Sequence, residues 1–296
     1  MSEPQGAGDP RVPVAGEWLS RLAGAADFVR RRVAGEYEVD PESGFDPELN
    51  GTVLMPAARA LYRSWFRVRM RGLEHVPAAG PALVVANHSG VLPFDAFMLQ
   101  VGILDEHPAA RNLRLLGADL VYTLPLLGRL ARASGHVPAS PEEAERLLAA
   151  GELVGVFPEG FKGIGKPFSS RYRLQRFGRG GFARLALRTG VPLVPCAIVG
   201  AEEIYPMVAD WPELAATLRL PYFPITPLFP WFGPVGAIPL PSNWLIEFCD
   251  PVPTDGFTPD QWEDQDVITE LADKIKDTIA TKIDELLAER GPAFGG

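Results

Sequence analysis

The chain has 296 residues, 47% of them hydrophobic, enough to bury an ordinary core in one large α/β domain or two small ones and to exclude disordered and fibrous classes. Twenty-eight Lys and Arg stand against 37 Asp and Glu, a net charge of −9, which argues against a surface built throughout to grip nucleic acid. Only Cys196 and Cys249 occur, both in apolar runs, so neither a disulfide scaffold nor a cysteine zinc site is expected and a reducing cytoplasm is the expected compartment.

Residues 1–16 lack the basic start and apolar run of a signal peptide, so secretion is not expected. Trp18, Leu19, Leu22, Ala26, Phe28 and Val29 then predict an amphipathic helix ending in Arg30, Arg31 and Arg32, where basic residues suit the carboxyl end of the helix dipole. A loop follows, Asp40 to Asn50. A second helix, Val53–Phe66, mixes Leu54, Ala58, Leu61, Tyr62 and Trp65 with Arg59, Arg63 and the following Arg67, a cationic amphipath that fits either docking on the domain or contact with anionic lipid.

From Arg67 to Asp255 the pattern is strand, turn, helix, repeated. Short apolar runs at Ala82–Ala86, Leu113–Leu116, Leu153–Phe157, Leu193–Val199 and Leu245–Phe248 have the length of buried strands. Helical stretches lie between them at Ala96–Leu104, Leu126–Ala133, Pro141–Ala150 and Gly181–Thr189, with Ser140, Pro141 and Glu143 forming a capping signal. The alternation predicts an α/β fold with a mostly parallel central sheet flanked by helices. Seven prolines between Leu220 and Ile246 forbid a continuous helix there, and the aromatics Tyr222, Phe223, Phe229, Trp231, Phe232 and Trp244 suit either a cover for the sheet or a membrane interface. Asp264–Arg290 reads as a long amphipathic helix docked by Val267, Leu271, Ile275, Ile279, Ile283 and Leu286. The expected organisation is an N-terminal helical, membrane-associating segment over 1–65, the α/β domain over 66–256 and a C-terminal helix over 257–296.

Two constellations could carry chemistry. In the first, a buried strand delivers Asn87-His88-Ser89-Gly90 to its carboxyl end, where open α/β sheets bind ligands, and Asp95 opens the next helix. A neutral imidazole there can take a proton from a hydroxyl while a carboxylate on its other nitrogen orients it; the spacing fits equally a strand-capping His and a helix-capping Asp. In the second, a strand ends in Phe157-Pro158-Glu159-Gly160-Phe161-Lys162, and from Lys162 to Arg188 the basic residues Lys162, Lys166, Arg171, Arg173, Arg176, Arg179, Arg184 and Arg188 occur with no acid among them. Such polarity inside an acidic chain suits an anionic ligand, phosphate above all, or a basic face paired with acidic neighbours. None of His75, His107 or His136 has a second His or Cys spaced to make a metal site; His75 and His107 are expected at the surface and His136 in a structural role.

Asn87-His88 with its downstream Asp, Phe157-Pro158-Glu159-Gly160 followed by a basic residue, and Val191-Pro192-Leu193-Val194-Pro195, led in by Arg71-Gly72-Leu73-Glu74-His75-Val76-Pro77, resemble the glycerolipid acyltransferase superfamily over about Val68–Pro253. The resemblance implies transfer of a fatty acyl group from acyl-CoA, or acyl carrier protein, to a glycerolipid hydroxyl, with His88 as general base and Asp95 its partner. Asn87, Ser89, Gly90, Glu159, Gly160, Phe161, Lys162, Lys166, Arg171, Arg173, Arg176 and Arg179 would line the substrates. It implies a lysophospholipid acceptor such as 1-acylglycerol 3-phosphate, with no metal and no cofactor; the acidic total argues against a nucleic-acid partner, and Val53–Phe66 with Leu220–Ile246 carry the expectation of peripheral contact with the inner face of the membrane. Two departures matter. Six residues, rather than the family's usual four, separate His88 from Asp95, so the loop must bulge, and its His-Gly-like start with the Pro-x-Asp ending, Pro93-Phe94-Asp95, resembles the mono- and diacylglycerol acyltransferase branch. The segment Ser134–Ser140 lacks the arginine the family usually offers to a phosphate. A neutral glyceride acceptor, or a non-catalytic lipid- or acyl-CoA-binding protein of the same fold, are the alternatives.

Overall fold

The computed structural model describes residues 15–41, 43–89, 92–123 and 125–294. Helix α1 (Ala15–Ala34) ends as the sequence predicts, on basic residues. Arg30 pairs with Asp27 and Glu36, and Arg32 with the buried Asp46, so the helix end is tied to the loop after it. A helical run over 47–65 combines α2 (Pro47–Leu49) and α3 (Met55–Ala60) with π-helical turns at Asn50–Leu54 and Leu61–Trp65. It buries Met55, Ala58 and Tyr62, with Phe66 just beyond. Its arginines are engaged by protein: Arg59 and Arg63 share Asp105, and Arg67 donates to Asn243 and to the Pro241 carbonyl.

The sheet strands follow: β1 (Arg69–Arg71), β2 (Ala82–Ala86), β3 (Leu113–Gly117), β4 (Val137–Pro138), β5 (Leu153–Val156) and β6 (Leu193–Val199). Helices α4 (Phe94–Glu106), α5 (Asp119–Thr123), α6 (Pro125–Ala133), α7 (Pro141–Ala149), α8 (Phe161–Ile164) and α9 (Gly181–Thr189) lie between them. Beyond β6 come a small antiparallel pair, β7 (Ala209–Asp210) and β8 (Pro224–Ile225), with α10 (Pro212–Leu218) between them, then β9 (Leu245–Phe248) and α11 (Gln265–Arg290).

The seven-stranded sheet has the order β1-β9-β6-β2-β5-β3-β4, and every pairing is parallel except β6 with β9. Mixed α/β architecture with a mostly parallel sheet is therefore the fold. Because side chains alternate along a strand, β2 sends Val84 and Ala86 to one face and Leu83 and Val85 to the other, and both faces are buried. The first face packs against Tyr62, Phe66, Met98 and Leu99; the second against Leu147, Phe182, Leu187 and the Ile275–Ile279–Ile283 stripe of α11. Each such aliphatic side chain gains about 1.5–3 kcal/mol by leaving water, so the 26-residue α11 is held chiefly by that stripe. Asp264 caps it, accepting from the Asp266 and Val267 amides, as Ser140 caps α7 by accepting from Glu143.

Between β8 and β9 the proline-rich stretch forms a 3₁₀ turn at Gly233–Ala237 and leaves Trp231, Phe232, Val235 and Ile238 exposed. No helix among the described residues is long and apolar enough to cross a membrane.

Candidate active site

The site gathers at the carboxyl ends of β2, β5 and β6. Immediately after β2, Asn87 continues the sheet with its side chain: the amide donates to the Ile198 carbonyl at 2.9 Å and accepts from the Ile198 amide at 2.7 Å. Expected at the substrate, it instead has both polar atoms on the backbone of β6 and no exposure. That bridge fixes the point at which His88 leaves the strand.

His88 Nδ1 lies 2.7 Å from Asp95 Oδ2. Despite the longer spacing the two side chains meet: Pro93 precedes α4 with a non-helical ψ of 57° and Asp95 sits in the first helical turn. Asp95 is fully buried, and its oxygens also accept from the Ser89 and Ala96 amides, each at 2.9 Å. A carboxylate at a helix amino terminus complements the exposed amides of the first turn. An ionised carboxylate only accepts, so it fixes the proton on Nδ1 and leaves Nε2 with a lone pair. Among the described residues nothing hydrogen-bonds Nε2. One face of the imidazole stacks on Phe157, centroids 4.4 Å apart at 21°. The Ser89 hydroxyl is buried without a partner beside this pair, and Gly90 lies outside the described residues.

The second motif forms the facing wall. Gly160 adopts φ 54° and ψ −143°, a conformation open essentially to glycine alone, and turns the chain from β5 into α8. Gly163 then passes so close that a Cβ there would meet the His88 carbonyl oxygen at 2.8 Å and His88 Cβ at 3.1 Å. Glu159, expected to bind the acceptor, is buried: one oxygen accepts from the His88 amide at 3.0 Å and the other from the Gln175 amide at 2.6 Å. Lys166, also expected at the substrate, is buried with its ammonium 2.9 Å from Glu202, 3.6 Å from Glu159 and 3.2 Å from the Arg173 carbonyl. A lysine can be buried only with its charge balanced, and two carboxylates do that here. Burial pushes the Glu202 carboxyl up to about 7, even with Lys166 beside it.

Phe161 and Lys162 are exposed at the mouth, as are Arg171, Arg173, Arg176 and Arg179 on the loop beyond. Arg171 lies over the Phe168 ring, and among the described residues Lys162, Arg173, Arg176 and Arg179 make no ion pair. By contrast Arg188 on α9 pairs with Glu145, and Arg184 donates to Gln265.

The remaining histidines sort differently from expectation in one case. His107 is buried, one ring nitrogen on the Val76 carbonyl and the other accepting from the Ala109 amide, because the turn after α4 folds back against the β2 approach. His75 faces Asp250 and the Phe248 carbonyl. His136 is buried, with Nε2 unpartnered, and burial next to Arg114 pushes it down to about 4.

Sequence reading missed Gly163 and Glu202. A glycine three residues into a turn carries no signal of close approach, whereas Glu202-Glu203, separated from the apolar strand β6 by two residues, is a detectable oddity, two carboxylates inside a run that stays buried.

Comparison with known proteins finds likenesses in sequence and in fold. Residues 67–199 match the family model described as Acyltransferase. An uncharacterized protein of Mycobacterium tuberculosis is 54% identical over 275 residues, covering 93% of this chain and 76% of that one. A Bos taurus protein named "DGAT1/2-independent enzyme synthesizing storage lipids" is 23% identical over 221 residues, 75% of this chain and 60% of that one. The crystal structure of the 1-acyl-sn-glycerophosphate (LPA) acyltransferase PlsC from Thermotoga maritima shares the fold, with TM-score 0.54 at 18% identity and 92% of both chains covered.

Proposed function

Because the chain belongs to the acyltransferase family, we propose that it moves a fatty acyl group from an acyl-CoA thioester to a hydroxyl of a glycerolipid, most simply a lysophospholipid such as 1-acylglycerol 3-phosphate. The single observation that carries the reading is the His88–Asp95 pair, 2.7 Å apart with Nε2 open, set beside a loop of unpaired cations. His88 Nε2 accepts the acceptor's hydroxyl proton as the oxygen attacks the thioester carbonyl. Collapse of the tetrahedral intermediate breaks the C–S bond, and the imidazolium returns the proton to the leaving thiolate, giving an ester and free CoA. Asp95 orients the ring and balances its transient charge, which is why a positioned base of this kind contributes roughly 10²–10⁴-fold. A thioester is already activated, so no protein nucleophile is called for. Lys162, Arg173, Arg176 and Arg179 supply the cations for phosphate, whether of the acceptor or of CoA.

A neutral glyceride acceptor is the second reading. It is favoured by Ser134–Ser140, which brings no arginine and only the buried His136, and by the name of the Bos taurus relative. Exposed Trp231, Phe232, Val235 and Ile238 support peripheral contact with a membrane, on the cytoplasmic side where acyl-CoA is met. Flotation with liposomes checks that contact, and protein remaining at the bottom with both anionic and neutral lipid refutes it.

The decisive assay is release of CoA thiol from palmitoyl-CoA with lysophosphatidate, monoacylglycerol or diacylglycerol, alongside His88→Ala. Release with lysophosphatidate that His88→Ala abolishes supports the first reading. Release only with a neutral glyceride supports the second, and no release with any acceptor refutes both in favour of a non-catalytic binding protein.

A further inference from the structure

The Glu159 carboxylate performs two tasks with two atoms, one oxygen on the amide of the His that carries the proposed chemistry and the other on the amide of Gln175 in the cationic loop. Its side chain has no exposed surface, so water cannot stabilise its charge. A buried carboxylate needs its charge balanced by a partner inside the protein. Among the described residues the Lys166 ammonium, 3.6 Å away, is the cation paired with Glu159, and it fixes where the two accepting oxygens sit. Lys166 is itself only 4% exposed through its side chain and is anchored more tightly to Glu202, at 2.9 Å, at the end of β6. A chain of contacts thus runs from β6 through Glu202, Lys166 and Glu159 to the backbone of His88, and none of its members is open to substrate.

We propose that Lys166 is a positioning residue for His88 that acts through Glu159: seated on Glu202, it holds the Glu159 carboxylate in the place that fixes the His88 backbone. This deepens the acyl-transfer reading and rests on it. Gly163, against the His88 carbonyl, closes the same clamp from the other side, so the imidazole is located by its main chain as well as by Asp95. The sequence suggested a substrate contact for this lysine; a residue that binds substrate sets KM, whereas one that places the base sets kcat.

The experiment is a double-mutant cycle of Lys166→Met and Glu159→Gln on the full chain, with Lys166→Arg as the conservative variant and Lys166→Gln as the substitute should Met prevent folding. Turnover and KM are measured together with hydrogen exchange at the His88 and Gln175 amides. Lys166→Met is expected to lower kcat about 100-fold, the cost of a base displaced by about an ångström, with KM changed less than about threefold. Both amides lose protection, and Lys166→Arg restores most of the turnover. In the Glu159→Gln background, replacing Lys166 changes kcat by less than about threefold, because the group it acts through is already gone. Losses that multiply in the double variant, a rise in KM in place of the fall in kcat, or amides that stay protected in Lys166→Met each overturn the proposal. Amide exchange reads the clamp without any substrate, so it decides the clamp separately from the reaction: wild type that transfers no acyl group fails the functional reading alone.

Discussion

His88 and His136 both belong to the loops that flank the same sheet, one leaving β2 near its centre, the other entering β4 at its edge, and their environments differ in every respect that governs proton transfer. His88 has a carboxylate at 2.7 Å on one nitrogen, an open second nitrogen, and a side chain 14% exposed. Among the described residues His136 has no carboxylate partner and a buried nitrogen without a hydrogen bond; with Arg114 nearby, it stays neutral down to about pH 4. An imidazole becomes a base for an incoming hydroxyl only when its conjugate acid is stabilised and its lone pair can be reached. Residue type and strand-end location, which the two share, are insufficient.

The largest effect that separates them is on turnover. His88→Ala is expected to reduce CoA release by about 1,000-fold, and His136→Phe by less than about threefold. Equal losses would break the contrast. Asp95→Asn sharpens it by making His88 resemble His136: an amide can present its N–H to Nδ1 and put the proton on Nε2, and a fall of about 100-fold in kcat is expected with unchanged KM. A variant retaining most of its turnover would show that the carboxylate is only a helix cap. Smaller again is Gly163→Ala, which pushes a methyl against the His88 carbonyl; about a tenfold loss in kcat is expected, and an unchanged kcat would show that the wall yields without moving the base.

The smallest effect is on stability. Folding depresses the affinity of His136 for a proton from the ordinary 6.5 to about 4, so its contribution is complete above pH 6.5 and is lost as pH falls through that interval. Glu202 has the opposite sign: its carboxyl is raised from 4.5 to about 7, so stability is complete below 4.5 and declines as pH rises towards 7. Each accounts for at most about 3 kcal/mol. Calorimetry between pH 4 and 8 should show His136→Phe flattening the acid limb and Glu202→Gln flattening the rise-side decline. A variant whose melting temperature keeps the wild-type pH slope refutes the assignment for that residue.

Strands of four to seven apolar residues were legible with their limits within a residue, because a segment buried on both faces leaves no polar position to blur its ends. β1 escaped notice because Arg69-Met70-Arg71 is a polar edge strand, and β4 because two residues make no pattern. The reversed direction of β9 depends on the long 200–244 connection, which periodicity does not read. In the site, His88 and Asp95 are close in sequence and were visible as a pair, as was the cationic loop. The Glu202–Lys166–Glu159 chain was not, since its ends lie more than 40 residues apart and a lysine in a basic run gives no sign that it alone is buried.

The ring of Phe157 has a consequence for the direction of approach. With one face of the imidazole covered by that ring and its Nδ1 edge occupied by Asp95, an incoming hydroxyl reaches the nitrogen lone pair only in the ring plane, from the Nε2 edge. The protein thus offers a keyway: under the proposed acyl transfer, the acceptor is selected by whether its oxygen can be turned into that plane, and not by its acidity alone.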